Sequence, residues 1–130
     1  MDEKNVHCQA LRAILVDVLD TIVRFGRVNR ASDAMSNDAF QHDMRSLIEF
    51  VREAETFSEL GRLANYAHRS CLAREISCNE ICLPHIKCLN AIVFLHDVDR
   101  LHEVSWRQVE RRHHDERWFR DLTKVDDANW

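Results

Sequence analysis

The stretch from Leu11 to Phe25 reads LRAILVDVLDTIVRF, and its periodicity decides the fold. Leu11, Leu15, Val18, Ile22 and Phe25 recur at steps of four, three, four and three. That spacing keeps one apolar stripe on a helix of about 3.6 residues per turn. Asp17, Asp20 and Arg24 fall on the opposite face, and Gly26 follows as a helix stop. The predicted first helix therefore covers Val6 to Phe25. Residues 27–37 are polar and aperiodic, and are expected to form a loop.

The same pattern repeats downstream. Phe40, Met44, Leu47, Val51 and Ala54 step four, three, four, three within Asp38 to Glu55, with Ile48 and Phe50 widening the stripe. Thr56 and Glu59 make a capping box that opens a third helix. Its face of Leu60, Leu63, Ala64, Ala67 and Cys71 is mostly small, which lets a neighbouring helix approach closely. Pro84 lacks an amide hydrogen and clashes with a preceding turn, so the helix should kink or break near Cys82–Leu83. A fourth helix is expected from Pro84 to about Val104. Its stretch Ala91 to Leu95 is apolar on every side and is the candidate for the bundle's centre. Ser105 to Gln108 forms another capping box, opening a fifth helix through about Leu122.

Composition points the same way. The chain has 130 residues, of which 45% are apolar, enough for one packed core. Two glycines and one proline are too few for a hairpin-rich β fold, and no glycine-rich phosphate loop is present. The expected architecture is an all-α, single-domain helical bundle of about five helices over residues 1–122, broken near Pro84. An acidic, flexible tail is expected over 123–130.

The start at Met1, Asp2, Glu3 and Lys4 does not read as a secretory signal, and Arg12, Asp17, Asp20 and Arg24 make the first helix too polar to span a bilayer. Five cysteines, four of them between Cys71 and Cys88, do not look like a secreted disulfide framework. They read as reduced thiols in the cytoplasm of the protein's own cell or of a host, with no membrane partner.

Four kinds of site compete. The first is metal binding. Cys71, Cys78, Cys82 and His85 would share a face of a continuous helix, but Cys71 and His85 would lie about 21 Å apart along its axis. A break at Pro84 improves the set to Cys78 and Cys82 from one helix end, with His85 and Cys88 from the next helix start. Thiolates and imidazoles suit zinc. The reading adopted is that these cysteines are small core residues and that the protein needs no cofactor, with zinc as the alternative.

The second is nucleic-acid binding through Arg24, Arg27 and Arg30, with Arg107 and Arg112 from the C-terminal segment. Residues 105–122, however, hold five arginines against four acids, and many are spaced i, i+4 as in a solvated, salt-laced helix. The third is catalysis: His96, Asp99 and His102 would share a helical face suited to proton transfer. No motif supplies nucleophile, base and oxyanion donors together, so a non-enzymatic role is expected.

The fourth is partner binding. Residues 1–60 carry 11 acids against 7 bases, while the remainder carries 11 of each, giving a mildly acidic face suited to a basic partner. Trp106, Arg111, Trp118 and Phe119 have the composition of interface anchors. The stripes of the first two helices also permit a homodimer. The expectation is a small intracellular interaction or regulatory protein that binds a protein partner. The alternative is a zinc-stabilised regulator that binds RNA or DNA.

Overall fold

A computed structural model describes residues 3–28, 34–77 and 80–104. The chain forms α1 (Glu3–Phe25), β1 (Arg27–Val28), α2 (Ala34–Glu53), α3 (Phe57–Ala73), β2 (Ile76–Ser77) and α4 (Leu83–Asp97), followed by one 3-10 turn at Leu101–Glu103. Four α-helices, rather than five, make up the described bundle. The expected fifth helix at 105–122 and the tail at 123–130 lie outside the described residues.

The helices run up, down, up and down. α1 lies against α2, α3 and α4, α2 against α3, and α3 against α4. Leu11, Leu15, Val18, Leu19 and Ile22 are fully buried, so the α1 stripe is the seam to which the others attach. Phe25, the last member of that stripe, is partly exposed. The apolar stretch of α4 is less central than its composition implies. Ala91, Ile92, Val93 and Leu95 are buried, but Phe94 is 45% exposed.

The α2–α3 corner shows how local chemistry sets an element's ends. The Thr56 hydroxyl accepts the Glu59 backbone N–H at 3.1 Å. The Glu59 carboxylate accepts the backbone N–H of Glu55 at 3.0 Å, one residue before the usual capping-box partner. Past the end of α2, α1 reaches across: Arg12 donates to the Ala54 carbonyl at 2.7 Å, and the Cys8 thiol donates to the Glu55 carbonyl at 3.4 Å. A guanidinium at a helix C-terminus satisfies a carbonyl and complements the helix dipole.

The chain between Cys71 and Pro84 departs most from expectation. α3 stops at Ala73, about ten residues before the proline, and Glu75 takes a left-handed conformation at φ 50°. Ile76 and Ser77 then pair antiparallel with Val28 and Arg27. The expected loop at 27–37 thus contributes a short strand, and α2 begins at Ala34 rather than Asp38. Pro84 does not kink a helix. It sits in the first turn of α4, where its missing N–H would have had no helical partner.

Two close approaches explain the two glycines. A Cβ at Gly26 would lie 2.6 Å from the Ile22 carbonyl oxygen and 3.0 Å from Ile76 Cγ2, so a glycine lets the end of α1 meet β2. A Cβ at Gly61 would lie 2.0 Å from His96 Nδ1 and 2.4 Å from its Cγ. Together with buried Ala64, Ala67 and Ser70, this makes α3 the small-residue partner of α4.

α4 ends in a Schellman arrangement. Asp99 N–H donates to the His96 carbonyl at 3.0 Å, Arg100 N–H donates to the Leu95 carbonyl at 2.8 Å, and Asp99 has φ 58°.

Two stability predictions follow from these contacts. In an open helix, Gly→Ala gains about 1 kcal/mol. Here Gly61→Ala should lower the melting temperature, and adding His96→Ala should recover the loss; a stabilised single variant would show that the approach is not tight. Asp99→Gly should raise the melting temperature by removing a strain of about 1 kcal/mol, as read by thermal denaturation.

Candidate functional site

Around α4's start, the proposed metal ligands are held in different chemical states. Cys82 is buried immediately before α4 and is disulfide-bonded, whereas Cys8, Cys71 and Cys88 are free thiols. This corrects the expectation that every cysteine is reduced. A disulfide sulfur has no thiolate to offer zinc. Cys78 lies outside the described residues.

His85 is buried, with Nδ1 3.1 Å from the Ile81 carbonyl and Nε2 3.8 Å from an Asp17 carboxylate oxygen on α1. A carbonyl only accepts, so the first contact places the proton on Nδ1. Cys88 lies one turn further along and is fully buried. Burial first, and the Asp17 carboxylate second, push its thiol well above the ordinary range. Among the described residues, no three His, Cys, Asp or Glu side chains are grouped to hold an ion.

Of the arginines, Arg24 pairs with Asp20 at 3.1 Å along α1. Arg27 folds back and donates to the carbonyls of Arg24 and Gly26 at 3.4 and 3.0 Å. Both therefore satisfy local partners at the end of α1. Arg30, Arg107, Arg112 and the interface anchors Trp106, Arg111, Trp118 and Phe119 lie outside the described residues. His96, Asp99 and His102 do not share a helical face: α4 ends at Asp97, Asp99 turns the chain, and His102 sits exposed in the 3-10 turn.

The best-formed concavity lies elsewhere, along the α2–α3 pair. It is an open groove of about 720 Å³. Its apolar floor is Leu47, Phe50, Ala54, Leu63 and Tyr66. Asp43, Glu53, Glu59 and Arg62 stand around it. Phe50 and Tyr66 are each 61% exposed, too much for members of a core stripe. Sequence reasoning placed Phe50 in the buried face and did not single out Tyr66. The available signal was Phe50's position one residue, or about 100°, away from Val51 in the stripe.

The groove's ends are built firmly. Arg74 donates to the Asp43 carboxylate at 2.8 Å and to the Ser70 hydroxyl, and stands over the Phe40 ring at 5.8 Å. The opposite end is the capped α2–α3 corner. Glu53 and Arg62 belong to no ion pair among the described residues. The groove is thus an apolar trough between two helices with charged groups on its rim.

Burial of Cys71 raises its thiol pKa from 9.0 to about 11, with Arg74 opposing that rise. Below pH 9 the thiol is neutral in both folded and unfolded chains, so its contribution to stability is fully present. From pH 9 to about 11 the unfolded chain ionises first, so stability should fall. Cys71→Ala should flatten that alkaline decline in denaturant titrations, and native Cys71 should react slowly with iodoacetamide at neutral pH.

No protein-family model, curated protein or solved structure matches this chain.

Proposed function

We propose that this chain is a small non-enzymatic interaction or regulatory protein that binds a protein partner, with the α2–α3 groove as the contact surface. The observation that carries this reading is the placement of Phe50 and Tyr66, largely exposed, over one apolar trough. Exposed aromatic side chains beside a concavity are the usual material of interface anchors. Polar groups ring the trough, which resembles the core-and-rim composition of a protein contact.

The zinc and nucleic-acid reading draws less support from the described residues. Cys82 is disulfide-bonded, and Arg24 and Arg27 are engaged at their own helix end.

Phe50→Asp and Tyr66→Asp test the proposal. As substitutions of exposed side chains, each should change stability by no more than about 0.5 kcal/mol. Each should reduce capture of the bound partner from the source cell by about tenfold or more. Capture equal to that of the unaltered chain, with both variants folded, would remove the groove from the proposal.

A further inference from the structure

We infer that the groove's occupant is a basic, amphipathic helix of about three turns contributed by a partner protein; this rests on the groove being the contact surface. The lining of the groove sets both shape and length. On α2 it includes Asp43, Leu47 and Phe50, with Ala54 just past its end, and on α3 Glu59, Leu63 and Tyr66, so both walls recur at helical spacing. From Asp43 to its end at Glu53 the α2 wall covers about 15 Å, the length of about ten helical residues. Two antiparallel helices with an apolar trough between them seat a third helix by ridges and grooves, with anchors at i, i+3, i+4 and i+7.

Charge selects the sign of the partner. Three carboxylates (Asp43, Glu53 and Glu59) stand around the trough against one guanidinium, Arg62. Asp43 is paired with Arg74, and the Glu59 carboxylate accepts a backbone N–H at the corner. Glu53 is exposed and in no ion pair among the described residues. Close by, the Glu55 side chain is also exposed. Lysine or arginine flanking an apolar anchor would meet Glu53 and Glu59, whereas an acidic helix would be repelled by them.

The test uses the full chain and two synthetic helices of about 14 residues. Both carry leucine and tryptophan at i, i+3, i+4 and i+7. One has lysine at its remaining positions and the other glutamate. Fluorescence anisotropy should show the lysine helix binding about tenfold tighter than the glutamate helix, with affinity falling as salt rises. Phe50→Asp should weaken the lysine helix by about tenfold, and Glu53→Lys should narrow the preference between the two peptides.

Equal binding of both helices would overturn the basic character of the occupant while leaving the groove as a contact surface. Failure of the folded chain to bind either helix would overturn the helix inference. If groove variants still lost their captured partner, the broader reading would survive that failure. Sedimentation showing a dimer that Phe50→Asp dissociates would put a second copy in the groove and overturn the assignment to a separate partner.

Discussion

Removal of the α1 apolar face from water is the constraint on which the structure depends. Leu11, Leu15, Val18, Leu19 and Ile22 have no exposed surface, and α1 touches every other helix. Fully burying a side chain of this size contributes about 1.5–3 kcal/mol, more than a typical neutral hydrogen bond contributes on a net basis. One broad stripe cannot be covered by one neighbour. α2 and α4 take its two flanks, and α3 closes the square. The polar contacts made by α1 then fix how its neighbours are seated. Arg12 and Cys8 reach the carbonyls at the α2–α3 corner, and Asp17 faces His85 on α4.

Given that seam, the positions of α3 and α4 follow from side-chain size. Gly61, Ala64 and Ala67 let α4 come close, while the larger Leu63 and Tyr66 are displaced to the side facing α2. The groove therefore arises from the same asymmetry that builds the core. The small edge of α3 is used inside, and its bulky edge is left beside Phe50.

Much of this organisation is legible in residue spacing. The stripes of α1 and α2, the Thr56 cap and the small face of α3 all report local periodicity or local hydrogen bonding, and both survive in isolation from the rest of the chain. What spacing does not carry is the identity of the partner surface. Phe50 lies beside the α2 stripe, and only the position of α3 decides whether that flank is covered. Ile76 finds Val28 nearly fifty residues away, so the early end of α3 is a tertiary event. The chemical state of the cysteines is not carried by spacing for a related reason: residue type suits core packing, metal ligation and cross-linking alike, and only the fold shows Cys82 in a disulfide. The aromatic anchors proposed at Trp118 and Phe119 lie outside the described residues, so the groove is an addition to that reading and does not replace it.

The four antiparallel helices of the described residues have a practical geometric result. The start of α1, the corner between α2 and α3, and the end of α4 all lie at one pole, the one at which the corner closes the groove. A resin or a bulky fluorescent domain held against the start of α1 would stand beside that corner. The β1–β2 pole, reached through a residue such as exposed Ser77, is the place from which to hold the molecule while leaving its groove open to solution.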